Sequence, residues 1–394
     1  LSLRALALPP QAAIAVQSGI RDVPLSLLPQ GRGLAAGEPL QLQLPGGRDL
    51  GTAVADPENE RLRVFAGPGE APDGLGPAFF SSRVERALEL RRGLGLLGPD
   101  QACRVVHGAG DGLPGLTADV FGAFAVVNAY ARALAPLGHA LGEALLAQAR
   151  LRGVVIKLRS RGAASQGPVK QELIGEEPPP RLVVQECSVP FEVHLATGLN
   201  VGLFLDMREH RHALASLCAG RRVLNGFAYT GTLSVLAARG GAREVTSVDL
   251  SAGTLAWARD NFELSGLDPA AHRFEAEDVG RFLARASADG LRYDLVLLDP
   301  PSFSAARNAP FAIERDYPDL IDRAASLLAP GGLLWLASNT RGVALLELLK
   351  AGLQRARREL VVLASGGLPA DHPTLLAQPD DRYLQVVLVR PGVG

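Results

Sequence analysis

The sequence predicts an α/β protein whose C-terminal half is a doubly wound, mostly parallel sheet of seven strands. A small β domain and a central α+β domain precede it. Three observations carry this. From about residue 197 onward, short apolar runs alternate with helical stretches, the pattern of strands covered on both faces by crossover helices. Near the N-terminus Leu40, Leu42 and Leu44 alternate with polar residues, the period of a half-buried strand. Between the two, an amphipathic helix with Arg83, Arg86, Arg91 and Arg92 on its polar side leads into mixed strand and helix signals.

The elements follow in order. In the first domain, 1–70, "PLQLQL", "LGTAVAD" and "RLRVFAG" are strands separated by the turns "PGGRD" and "PENE". The Gly/Pro-rich stretch 67–77 is a linker. The central domain, 78–193, holds that amphipathic helix, the loop "GAGDGLPGLTADVFG", the strand "AFAVVNAY", a second helix and the strand pair "LVVQECSVPFEVHL". Its stretch from Arg150 to Lys170 has no acid and carries Arg150, Arg152, Lys157, Arg159, Arg161 and Lys170, a candidate basic patch. The C-terminal domain, 197–394, supplies the strands "RRVLNGFAY", "AREVTSVDL", "HRFEAED", "YDLVLLD", "GLLWLASN", "ELVVLAS" and "YLQVVLVR". No helix separates the last two, so the final strand is expected to run antiparallel.

Composition excludes several classes. Forty basic and 41 acidic residues nearly cancel, so any nucleic-acid surface must be a local patch. Cys103, Cys187 and Cys218 show no paired metal-ligand spacing, which predicts no metal site and a reducing compartment. The apolar start is broken by Arg4 and Pro9-Pro10, and no later run is long enough to cross a bilayer. A cytoplasmic protein with no membrane partner is the expectation.

In an open α/β sheet, ligands bind beyond the carboxyl ends of the strands. Strand one ends in "NGFAYTG", where Gly226 and Gly231 admit a ligand close to backbone. Strand two ends in Asp249, placed to take ribose hydroxyls. Strand three ends in Glu277 and Asp278, placed to accept from an adenine amino group. Strand four ends in Asp299. Each feature alone also suits a turn or a helix cap. In sequence they fit one extended nucleoside. The loop lacks the G-x-G-x-x-G spacing that cradles a pyrophosphate, which argues against a dinucleotide and for S-adenosylmethionine. After Asp299, Pro300 and Pro301 lack N–H groups and stiffen the turn. They aim carbonyls at the amino or imino edge of a base, and Phe303 is placed to stack on its face, as an enzyme acting on an extruded base requires.

On these residues the chain resembles the large-subunit rRNA methyltransferase I family. The motifs are "GLFLDMREHR", "VLNGFAYTG", "VTSVDLSAGTLAWARDN", "LDPPSF", "ADHPTLLAQPDDRYLQ" and "GDGLPGLTADVFG". The resemblance implies a PUA-type N-terminal domain and a Rossmann-like class I methyltransferase domain. It implies S-adenosylmethionine as cofactor, with contacts from Phe204, Asp206, Arg208, Asn225, Phe227, Tyr229, Thr230, Gly231, Asp249, Leu250, Asn261, Glu277, Asp278 and Asp299. It implies RNA, 23S rRNA, as partner, and is compatible with a homodimer. Two departures stand out. The N-terminal start lacks the family's His-Pro-Trp-like aromatic signature. Cytosine-C5 members carry a cysteine at the end of strand five, where this chain has Ser338 and Asn339. Cytosine C5 becomes nucleophilic only after a thiolate adds to C6. "SNTRG" is similar to the "SNNKRG" of a related guanine-N7 methylase domain, and a guanine N7 lone pair needs only alignment. The expectation is a non-covalent base methylation with Asp299, Pro300, Pro301, Phe303, Ser338 and Asn339 holding the base. The alternatives are cytosine-C5 methylation and an RNA-binding assembly factor without catalysis.

Overall fold

A computed structural model describes residues 3–29, 33–160, 171–304, 311–356 and 359–392. The chain divides into two compact units. The first is Leu1–Ser188, Val193–Val201 and Ala370–Asp381, and the second is Val189–Glu192, Gly202–Pro369 and Arg382–Gly394.

The first unit contains two five-stranded sheets among its described residues. In the first, the strands run in the order Arg4–Ala7, Pro39–Gln43, Asp49–Asp56, Arg61–Ala66, Asp22–Pro24. The alternating Leu40 and Leu42 are fully buried with Leu6, Leu8, Leu62 and Val64. The second sheet runs Gln171–Gly175, Gly153–Leu158, Phe124–Ala129, Leu116–Phe121, Ala102–His107. Helix Ala135–Gln148 joins its one parallel pair, and helix Pro77–Gly93 packs on the same core. In the described part of the basic stretch, Arg150 and Arg152 are exposed while Lys157 is turned inward. Lys157 is fully buried, donates to Gly198 O at 2.9 Å, and burial pushes its ammonium down to about 8. Arg159 donates to Asn128 Oδ1 at 2.8 Å, and Arg152 pairs with Glu176. Strand backbone turns these side chains toward acceptors. Arg161 and Lys170 lie outside the described residues.

A second finding concerns "ADHP". This segment leaves the C-terminal sheet and belongs to the first unit. Arg91, fully buried, makes paired bonds to Asp111 at 2.6 and 2.8 Å and donates to Asp371 O at 2.7 Å. Arg104 N donates to Asp371 Oδ2 at 3.2 Å. His372 is 2% exposed, with its ring 4.9 Å from that of His107. Such a buried ionic cluster persists only because each charge is matched by directed bonds. Gly110 is required beneath it, since a Cβ there would lie 1.8 Å from Pro373 O.

In the second unit we number strands β1 (Arg222–Gly226), β2 (Glu244–Asp249), β3 (Arg273–Ala276), β4 (Tyr293–Leu298), β5 (Leu328–Ser338), β6 (Leu360–Gly366) and β7 (Gln385–Pro391). The helices are α1 (Arg208–Ala215), α2 (Thr232–Arg239), α3 (Ala252–Leu264), α4 (Val279–Ala288), α5 (Ile313–Ser326) and α6 (Leu345–Ala356). The described residues form one seven-stranded sheet, β3-β2-β1-β4-β5-β7-β6. The pairs from β3 through β5 are parallel, and β7 is antiparallel to both neighbours, as the missing helix predicts. Chain order reverses between β1 and β4, which is where an open sheet opens a crevice. The near-continuous apolar runs make this arrangement: Leu295, Val296, Leu297 and Leu298 are all fully buried. Tyr317 of α5 fastens the mouth of the crevice. Its fully buried hydroxyl lies 2.8 Å from Leu298 O and 3.1 Å from Ala337 O, at the ends of β4 and β5.

Replacing Tyr317 by Phe leaves those buried carbonyls without their donor. The expected loss is about 1–3 kcal/mol of stability, read as a lower urea midpoint at unchanged slope.

Candidate active site

The turn from β1 into α2 is bent by its backbone. Phe227, Tyr229 and Gly231 have φ of 62°, 50° and 74°. Left-handed backbone at two aromatic residues costs on the order of 1–3 kcal/mol each and persists only where the surroundings enforce it. Here they do. Tyr229 N donates to Asp249 Oδ2 at 2.9 Å, Ala228 N to Val248 O at 2.9 Å, and Asn261 Nδ2 to Thr230 O at 2.9 Å. Thr230 Oγ1 donates to Gly202 O at 2.5 Å. Gly231 is needed for a further reason, because a Cβ would come within 2.7 Å of Ala258 Cβ in α3.

Asp249 ends β2. Its Oδ1 accepts from Ser251 N at 2.9 Å and Thr254 Oγ1 at 3.2 Å, at the start of α3. A carboxylate has about four lone-pair sites, so capacity remains for a ligand hydroxyl. Leu250 beside it is 60% exposed, an apolar surface suited to a flat ring. Phe204, 43% exposed, lies with its ring 5.3 Å from that of Tyr229. Asp206 receives the Tyr383 hydroxyl at 2.9 Å, while Arg208 and Arg211 are buried in α1.

The strand-three acids and the two asparagines each have a partner within the protein. Glu277 pairs with Arg285 at 2.8 Å, and Asp278 caps α4 by accepting from Arg281 N at 3.0 Å. Asn225 and Asn261 are buried, at 1% and 0% exposure. The first donates to Ser234 Oγ at 2.9 Å, and the second joins the glycine turn to Glu192 N at 2.9 Å. The two asparagines tie down the turn after β1.

At the end of β4, Asp299 is half-buried, Pro300 buried and Pro301 exposed. Loss of water, and then the Asp206 carboxylate, push the Asp299 carboxyl up to about 7 against the opposing pull of Arg211. Ser302 connects this turn to the end of β5. Its Oγ donates to Asn339 Oδ1 at 2.9 Å and accepts from Thr340 Oγ1 at 2.7 Å. Ser338 is fully buried, and its Oγ accepts from Thr340 N at 3.3 Å. Strand Phe303–Ser304 pairs with Phe311–Ala312. The Phe303 side chain lies outside the described residues. Phe311, which no sequence pattern singled out, places its ring 5.8 Å from Phe227.

The glycine turn, Asp249, Asp299 and the Ser338–Asn339 pair therefore share the carboxyl edge of four adjacent strands, β2-β1-β4-β5. This edge offers close backbone approach, an acid with spare lone pairs, an exposed apolar contact and a second acid held out of water. Those features fit a nucleoside with a charged amino-acid tail. An S-adenosylmethionine-dependent methyltransferase family model matches residues 125–363. A ribosomal RNA large subunit methyltransferase I from Erwinia tasmaniensis is 33% identical over 364 residues, covering 89% of each chain. A ribosomal RNA large subunit methyltransferase from Deinococcus radiodurans is 34% identical over 356 residues, covering 87% of this chain and 86% of the other.

The chain belongs to the large-subunit rRNA methyltransferase I family.

Among solved structures, a protein described as a methyltransferase complexed with SAH has a TM-score of 0.89 at 25% identity, covering 98% of this chain and 100% of that one. The cofactor of this methyltransferase is S-adenosylmethionine. Among the charged and polar residues of the site to which sequence reasoning gave no part are Arg211 and Tyr383. Both sit inside quoted motifs, "GLFLDMREHR" and "DDRYLQ".

Asp299 has a raised folded-state pKa, so its contribution to stability is present below the ordinary carboxylate range. That contribution is lost as pH rises through about 7. Asp299→Asn removes this titration. Denaturant midpoints should show the variant gaining on the wild type between about pH 4 and 7, with no further gain much above pH 7.

Proposed function

We propose that this methyltransferase modifies a base of 23S rRNA, at a ring nitrogen of a guanine, without a covalent enzyme–base bond. Bound S-adenosylmethionine supplies a methyl group made electrophilic by its sulfonium. Every other requirement falls on the chain. Asp299 and the carbonyls of the Pro300–Pro301 turn accept hydrogen bonds from the amino and imino edge of the base. Ser302, Asn339 and Thr340 fix that turn relative to the end of β5. Gly226 and Gly231 let the cofactor-side backbone close in, so that alignment and exclusion of water do the catalytic work.

The observation that carries this reading is the absence of a usable thiol at β5. The cytosine route needs a thiolate. Ser338 stands at the strand end, buried and engaged with Thr340. The cysteine of this unit, Cys218, is fully buried, donates to Leu214 O at 3.2 Å, and is pushed up to about 11 by burial. With this reading we propose 1–70, 78–193 and 197–394 as three domains. The separate sheets of the first two segments support that division.

The decisive experiment is methyl transfer to 23S rRNA from cells lacking this protein, followed by nucleoside mass spectrometry. A methylguanosine is expected, and 5-methylcytidine would overturn the proposal. Ser338→Ala should retain activity to within about tenfold, since no nucleophile is lost. Asp299→Ala should lower kcat/KM by about 100-fold or more, the usual effect of removing one positioned polar partner.

A further inference from the structure

Asp206 lies in the short turn Leu205–Met207 that leads into α1. Its Oδ2 receives the Tyr383 hydroxyl at 2.9 Å, from the segment entering β7. Among the described residues no bond to its Oδ1 is seen. The Asp206 charge also bears on Asp299, which is faced in addition by Arg211 of α1 and Tyr317 of α5. A donor on one carboxylate oxygen fixes the rotamer, so that the other oxygen is presented in one direction.

We infer that Tyr383 is a positioning residue: by holding Oδ2 of Asp206 it presents Oδ1 to the ammonium group of the cofactor's amino-acid end. The inference rests on Asp206 being a cofactor contact, part of the same site reading as the proposed function. It concerns cofactor binding alone and is independent of which base is methylated.

The test uses the full-length protein without RNA. S-adenosylhomocysteine, which keeps the ammonium group, is titrated calorimetrically between pH 6 and 8.5 into the wild type, Tyr383→Phe, Asp206→Asn and the double variant. Tyr383→Phe should weaken binding about tenfold, the scale of one hydrogen bond to a charged group. In the Asp206→Asn background the same change should alter affinity less than about twofold, because the two residues act as one. The pH midpoint of binding should fall in Asp206→Asn, where a like charge is removed. Tyr383→His, which keeps a donor, should recover part of the affinity. It also carries the test if circular dichroism shows that Tyr383→Phe does not fold. The inference is overturned if Tyr383→Phe leaves affinity unchanged, or weakens binding equally in both backgrounds. A methylated nucleoside other than guanosine would overturn the proposed function and leave this inference standing.

Discussion

The Asp249 carboxylate is the constraint on which the cofactor side of the sheet depends. One oxygen holds Tyr229 N in the turn after β1, and the other holds Ser251 N and Thr254 Oγ1 where α3 begins. The first bond supports a left-handed aromatic residue that would otherwise relax. The second sets where α3 starts, and so where Ala258 presses on Gly231 and Asn261 reaches Thr230. A single acid thus fixes both the backbone that approaches the ligand and the helix behind it. A functional acid at this strand end cannot be exchanged for an amide without disturbing its neighbours. Asn has one acceptor oxygen, and these positions call for two.

The fold was legible from sequence because its signals are local. Buried parallel strands give unbroken apolar runs, and the missing helix before "YLQVVLVR" revealed the antiparallel final strand. Strand ends are also local, so Asp249, Asp299 and the glycine turn could be placed on one edge before any coordinates. Packing partners are not local. Nothing in "ADHPTLLAQPDD" shows that it leaves the sheet domain to be bonded by Arg91 and Arg104, because those contacts span more than 260 residues of chain. The same holds for Tyr383 and Asp206, which meet across 177 positions. Side-chain direction was a further blind spot. Sequence placed Glu277 and Asp278 at a strand end but did not show that one pairs with Arg285 and the other caps α4. Lys157 reads as part of a basic run, and strand alternation turns it inward.

The electrostatics of the site follow from two acids, Asp206 and Asp299, and the buried Arg211. Asp299 is forced toward neutrality by lost hydration and by Asp206, and Arg211 counters that only in part. A carboxyl balanced in this way is costly to the apo protein. A cationic ligand relieves the cost by favouring the ionised form. On the proposed placement of the cofactor, its binding and Asp299 ionisation would favour each other. Under the proposed function, that linkage would make the carboxylate a stronger acceptor for the base once the methyl donor is bound.

The end of β5 then decides what chemistry such an acceptor can serve. A cytosine C5 reaction needs a nucleophile that adds to the ring, and a serine with no adjacent base is protonated and weak at neutral pH. Ser338 is also fully buried and tied to its own turn, so it is a structural hydroxyl in position as well as in reactivity. Asn339 faces the other way, bonded through Ser302 to the Asp299–Pro300–Pro301 turn. The strand end that would carry a thiol in a covalent enzyme is here bonded to the Asp299–Pro300–Pro301 turn, which the proposed function makes the wall for the base. A brace improves alignment and adds nothing to electron push. It is of use to a ring nitrogen that already carries its lone pair, and of little use to a carbon that must first be activated.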